Sequence, residues 1–238
     1  MKIYIADIND FTIEYLEASV SEVRRQSATR FRFNEDKKRS MLAAYLLDRA
    51  LNDRKLTELI PAEPIVDENE KPHLYDNDGN EIYFSLSHSG DYAACAIADS
   101  GVGVDIEECK EYLEQIANRF FGESEKKLVN DKESFYRIWT LKEALMKAVG
   151  LGMSLPMNSF SVVPWQVGNR YYSDIDEHFI KAVFSYEIDI TSLGDKLEYV
   201  SDKDRMFGIT GKYKDYALSV CAVDYKELLR TEVIEVSV

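Results

Sequence analysis

The feature that narrows the fold most is a change of hydrophobic period along the chain. Residues 38–52 (KRSMLAAYLLDRALN) put Met41, Leu42, Tyr45, Leu46 and Ala50 on one helical stripe, and residues 134–149 show the same spacing in the second half. Weaker helical signals cover 112–121 and 124–130. The remaining apolar runs are short and alternate with a period of two: 82–86, 92–98 and 102–106, then 160–163, 182–188, 206–210 and 217–223. Pro61, Pro64 and the tract DENEKPH read as loop, 76–80 (DNDGN) as a hairpin turn and 88–91 as a tight turn; Gly150 suits a helix C-cap. Strands, helix, strands, then helix and strands predict an α+β protein with antiparallel sheets, its halves meeting near residue 101.

With 238 residues, 45% hydrophobic and 30% charged, the chain can bury a core in one large domain or two small ones. Its three cysteines, Cys95, Cys109 and Cys221, are an odd number without CxxC spacing, which argues against a disulfide framework or a zinc site. The start, Met1 followed by KIYIAD, has the alternation of a strand and no charged-then-apolar leader. No apolar run approaches the ~20 residues of a membrane span. A cytoplasmic protein without a membrane partner is expected. The net charge of -14 disfavours nucleic-acid binding, which needs clustered Lys and Arg. One basic island interrupts this acidity: Arg24, Arg25, Arg30, Arg32, Lys37, Lys38 and Arg39 stand against Glu35 and Asp36 alone. It suits either a phosphate-rich small molecule or a solvated helix face.

Three constellations carry chemistry. In GVGVDIE (101–107), Val102, Val104 and Ile106 share one strand face, and Asp105 and Glu107 share the other. Two carboxylates ~6.6 Å apart along a strand repel unless a cation lies between them, and Mg²⁺ fits best; the alternative is an edge strand with its acids in water. The Gly-Val-Gly lacks the third glycine of a dinucleotide fingerprint. In the helix at 135–149, Phe135, Ile138, Trp139, Leu145 and Val149 form the buried stripe. Glu143 and Lys147 stand one turn apart, either as a surface ion pair or as a further metal ligand or base beside a phosphate clamp. In FSLSHSG (84–90), neighbouring Ser and His side chains point to opposite faces, which disfavours a nucleophilic pair. A hydroxyl-rich turn that binds a phosphate, or simply a hydrogen-bonded turn, remains.

Taken together, FSLSHSGDYAACAIA (84–98), GVGVDIE (101–107), IANRFFGESE (116–125) and FYRIWTLKEALMKAVGLGMSLPMNSFSV (135–162) resemble the surfactin-synthetase-activating type of 4′-phosphopantetheinyl transferase. The resemblance runs from the KIYIADI start through Arg30-Phe31 and Lys71-Pro72 to Tyr216–Cys221, and finds no motif in 163–215. It implies two similar α+β subdomains, 1–101 and 102–238, related by a pseudo-twofold, each an antiparallel sheet packed with helices. It also implies coenzyme A as substrate between them and an apo acyl or peptidyl carrier protein as partner, the enzyme being a monomer. By position, Asp105, Glu107 and Glu143 correspond to Mg²⁺ ligands, with Asp105, Glu143 and Lys147 catalytic. Lys142 corresponds to a phosphate contact, Ser87 and His88 to the site of the nucleotide 3′-phosphate, aided by Arg39 and Lys71, and Arg24 to a coenzyme-binding base. Ser27 stands where a second such base can occur. Two other classes share these features: a different phosphoryl-transfer or phosphodiester-cleaving enzyme, and a non-catalytic module that binds coenzyme A or a carrier.

Overall fold

Both strong helical periods become long helices and the alternating runs become two sheets, in a computed structural model that describes residues 1–112, 114–162, 184–189 and 205–238. The first half runs β1 (Lys2–Asp7), α1 (Ile13–Ser19), α2 (Glu22–Ala28), α3 (Asn34–Asp53), β2 (Ile65–Val66), β3 (Pro72–Tyr75), β4 (Glu81–Ser89) and β5 (Tyr92–Ala98). The second runs β6 (Val102–Glu108), α4 (Glu114–Phe120), α5 (Glu123–Lys126), α6 (Lys132–Val149), β7 (Phe184–Asp189), β8 (Arg205–Tyr213), β9 (Tyr216–Ala222), α7 (Tyr225–Leu228) and β10 (Glu232–Glu235). The expected segments at 182–183 and 163 lie outside the described residues, and 160–162 is not a strand.

One sheet has the order β10-β1-β5-β4-β3-β2 and the other β6-β9-β8-β7. The subset β1-β5-β4-β3 and the sheet β6-β9-β8-β7 share one connectivity: a strand, a long helix, then a meander whose last strand pairs with the first. The pairs are antiparallel, except that β10 runs parallel to β1 and so ties the C-terminal end of the chain to the N-terminal sheet. Among the described residues no helix is long and apolar enough to cross a membrane.

Three apolar clusters follow from the pleat. Tyr4, Phe84 and Cys95 pack under Met41, Leu46 and Leu47 of α3. Met206 and Cys221 pack under Phe135, Leu141 and Leu145 of α6. Ile3 and Ile5 meet Val104, Ile106, Leu218 and Val220 between the sheets. The predicted inward stripe of β6 is therefore the seam between the two halves, and its other face lies under α6.

α6 is closed at both ends by its own sequence. The Asp131 carboxylate accepts from the Ser134 N–H and the Ser134 hydroxyl oxygen from the Asp131 N–H, a capping box; Gly150 ends the helix at φ 73. The helix then lies on β6 at unusually close range. A Cβ on Gly103 would stand 1.9 Å from the Ala144 carbonyl oxygen and 2.5 Å from the Ala148 nitrogen. The glycine that suggested no nucleotide motif is thus the place where helix and strand backbones touch.

β6 is an edge strand of its sheet, so its outward N–H groups need partners from elsewhere. They find them in side chains of β4: the hydroxyl oxygens of Ser85, Ser87 and Ser89 accept from the N–H groups of Val104 (3.0 Å), Ile106 (3.3 Å) and Glu108 (3.2 Å). This corrects the expected turn at 88–91. The strand continues through Ser89, and only Gly90, at φ 53, and Asp91 make the turn.

Ala at position 103 would force α6 off the strand, and overpacking of this kind costs about 1–3 kcal/mol or more. Gly103→Ala is expected to lower the melting temperature by roughly 2–12 °C at about 2–4 °C per kcal/mol. Gly101→Ala is the control, because its Cβ would meet nothing nearer than Val223 at 3.4 Å. Equal melting temperatures for the two variants in a thermal scan would refute the close contact.

Candidate active site

The edge strand, the capped helix and the serine-bearing strand converge on a cleft of about 450 Å³ between the halves. Asp105 and Glu107 of β6 and Glu143 and Lys147 of α6 line one wall; Leu86 and His88 of β4 line another. Trp139, expected in the helix core, is half-buried and also faces the cleft, packed edge-on against Phe120 at 5.7 Å. A neighbouring pocket of about 340 Å³ shares Pro72, Leu86, Glu143 and Lys147 with the cleft and extends past Lys71 and Met146.

Asp105 is 3% exposed. Its Oδ1 accepts from the Lys147 ammonium at 2.7 Å and from the Ser87 hydroxyl at 2.8 Å, and Lys147 also donates to the Val104 carbonyl at 3.1 Å. Its Oδ2 is buried with no hydrogen-bond partner. Leaving a carboxylate oxygen bare in a buried place is costly, and a water or a cation would satisfy it. Glu107 Oε2 accepts from the Ser89 hydroxyl at 2.6 Å. Burial, then the charge of Asp105, push the Glu107 carboxyl up to about 7; the same two causes raise Glu143, with Lys147 opposing. Two carboxyls raised by burial and by the charge of a third, in one cleft, suit a cation between them.

The three acids do not form a finished cage. Among the described residues no three His, Cys, Asp or Glu side chains converge closely enough to hold a metal by themselves. The donor set nevertheless suits a hard divalent ion of the Mg²⁺ type, which keeps several positions for ligand or water oxygens. The bare Oδ2 of Asp105 is the observation that fits it.

The expected anion contacts divide. Arg24 of α2 lines the cleft, where burial lowers the guanidinium from its ordinary value, and no carboxylate is paired with it among the described residues. His88 leaves its ring open to the cleft, yet burial, then Lys147, hold the imidazole below its usual value. Lys71 lines the neighbouring pocket, donates to the Ala148 carbonyl at 3.1 Å over the C-terminus of α6, and is lowered by burial. Arg39 does not line either cavity: Asp36 and the Gly90 carbonyl, both at 2.5 Å, hold its guanidinium. The basic island is not one surface, since Arg25 pairs with Glu22 and Lys38 donates to the Ile8 carbonyl. Ser87 lines the cleft, is 7% exposed, and gives its one hydroxyl proton to Asp105. Ser89, expected only as part of a hydroxyl-rich turn, instead holds Glu107. Its signal was available, because Ser85, Ser87 and Ser89 share one face of a strand.

A family model described as the 4'-phosphopantetheinyl transferase superfamily matches residues 101–221, and one described as 4'-phosphopantetheinyl transferase, N-terminal, matches 10–100. The chain is 30% identical to the 4'-phosphopantetheinyl transferase Sfp of Bacillus subtilis (strain 168) over 216 residues, 88% of this chain and 90% of that protein. It is 35% identical to the 4'-phosphopantetheinyl transferase gsp of Aneurinibacillus migulanus, over 65% of this chain and 66% of that one. Among solved structures, the holo-[acyl-carrier-protein] synthase of Thermotoga maritima is similar over 51% of this chain and 61% of that chain, with 21% identity and a TM-score of 0.31, too slight a likeness to speak to the fold.

Lys142 requires a correction. It was expected to touch a phosphate, but its side chain is fully buried on another face of α6, about 100° round from Glu143. The ammonium bonds Glu125 at 2.9 Å and the carbonyls of Met157 (2.8 Å) and Phe160 (2.7 Å), 4.2 Å above the Phe160 ring. Glu125 is satisfied in turn by the N–H groups of Gly122 and Val162, each at 2.7 Å. Breaking a buried pair strands the other charge at a cost of about 3–5 kcal/mol. Lys142→Met is therefore expected to lose that much stability in denaturant titrations while the folded fraction binds coenzyme A as wild type does. Unchanged stability with weakened coenzyme binding would restore the phosphate role.

Proposed function

Because the chain belongs to the 4′-phosphopantetheinyl transferase superfamily, we propose that its cleft transfers the 4′-phosphopantetheine group of coenzyme A to a serine of an acyl or peptidyl carrier protein, releasing adenosine 3′,5′-bisphosphate. The observation that carries this reading is the buried Oδ2 of Asp105, bare beside Lys147 in a cleft that Glu107 and Glu143 also line. Asp105, Glu107 and Glu143 would hold Mg²⁺, which supplies Lewis-acid stabilisation of charge developing on the diphosphate. The division into 1–101 and 102–238 belongs to the same reading, and is supported by the change of sheet at Val102 and the repeated connectivity, β10 excepted, since it pairs with β1.

The chain's own groups then have distinct tasks. Arg24, His88 and Lys71 are cationic or hydrogen-bonding groups on the cleft and its extension, and bind the phosphates of coenzyme A. Lys147, anchored on Asp105 at the cleft wall, offsets the charge that the leaving phosphate gains. Glu143 takes the proton of the attacking serine. Its carboxylate lines the cleft wall one turn from Lys147, within the site where the serine hydroxyl would attack. An acidic protein can hold this polyanion because the local field decides, and each carboxylate in the cleft faces a cation or a cation site. The enzyme acts as a monomer in the cytoplasm, a setting supported by Cys95, Cys109 and Cys221 all being free.

Incubating the protein with coenzyme A, Mg²⁺ and apo-carriers, and weighing the carriers, tests the reading. At least one carrier is expected to gain the mass of one phosphopantetheine, and EDTA should abolish the gain. Glu143→Gln should fold as wild type and turn over roughly 10²–10⁴-fold more slowly, the usual contribution of a general base. No mass gain on any carrier would sink the transfer reaction, and wild-type-like turnover of Glu143→Gln would sink its role as base.

A further inference from the structure

The three serines of β4 do more than satisfy an edge strand. A hydroxyl has a single proton, and accepting a backbone N–H on the oxygen restricts where that proton can point. Ser89 accepts from the Glu108 N–H at 3.2 Å and donates to Glu107 Oε2 at 2.6 Å; Ser87 accepts from the Ile106 N–H and donates to Asp105 Oδ1 at 2.8 Å. Each carboxylate is thereby held to β4 through one of its two oxygens. For Asp105 the other oxygen is the bare Oδ2, and among the described residues Glu107 Oε1 accepts no hydrogen bond. Ser89 itself lines neither cavity, so any influence it has on a ligand passes through Glu107.

We infer that Ser89 is a positioning residue, one that fixes the Glu107 carboxylate with a single oxygen presented to the cation. The inference rests on the metal site proposed above. Groups of this kind behind a metal ligand change metal affinity by about 10–100-fold when removed. The pairing also explains why the spacing Ser-x-Ser faces Asp-x-Glu: both have a period of two, so one register between β4 and β6 matches both pairs.

The test is a titration of the full-length protein with Mn²⁺ in the presence of coenzyme A, with free Mn²⁺ read by electron paramagnetic resonance. Ser89→Ala is expected to raise the Mn²⁺ dissociation constant at least about tenfold. Coenzyme A binding in EDTA should be unchanged, and the melting temperature should fall by no more than about 4 °C. Ser89→Thr, which keeps the hydroxyl on a strand, should restore Mn²⁺ affinity. In a Glu107→Gln background, adding Ser89→Ala should produce no further loss. Should Ser89→Ala fail to fold, Ser89→Cys keeps the volume with a weaker donor, and its affinity should fall between the two. A Ser89→Ala constant within twofold of wild type, or a full additional loss in the Glu107→Gln background, overturns the role of Ser89. Equal Mn²⁺ binding by wild type and Asp105→Asn overturns the metal site itself, and this inference with it.

Discussion

The contact between Gly103 and the carbonyl of Ala144 sets the geometry of everything around it. An ordinary helix lies on a sheet with a layer of side chains between the backbones, but here one side chain is missing and the helix drops into its place. At that distance the Lys147 ammonium reaches the Val104 carbonyl and the Asp105 carboxylate together, and Glu143, one turn earlier, comes to the same cleft. With an intervening side chain, acid and ammonium would project past the strand and the cleft would lose one wall. The capping box and Gly150 serve the same end, since they set where along the strand the helix starts and stops.

The serine row is the complementary constraint from the other half. It joins two sheets that share no backbone ladder between β4 and β6, and does so through side chains that also touch the acids. The cleft is thus built at the seam itself. An edge strand ordinarily invites pairing with another chain. In this fold its free N–H groups are consumed by the site that the strand supports.

The two lysines of α6 show how far burial decides chemistry. Lys142 and Lys147 are five positions apart, about 140° around the helix at ~100° per residue, whereas Glu143 and Lys147 are about 40° apart. Lys142 therefore points into the apolar layer beneath the short helices, where Glu125 and two carbonyls enclose it; Lys147 points to the cleft. Position in the motif made Lys142 a candidate phosphate contact, and angular position removes it.

Much of this was legible before folding. The two helices, the alternation of 102–107, the outward pair Asp105 and Glu107, and the i,i+4 placement of Glu143 and Lys147 all follow from periods of 3.6 and 2, which local chain geometry imposes on any sequence with this pattern. What lay beyond reach were the partners between segments distant in sequence. No period reveals that Ser87 donates to Asp105, that Ser89 holds Glu107, that Arg39 is taken by Asp36 and Gly90, or that Glu125 waits for Lys142. Those pairings depend on how the two sheets dock and how near α6 comes to β6. Docking is settled by packing across the whole core, whereas periodicity records only which face of each element is apolar.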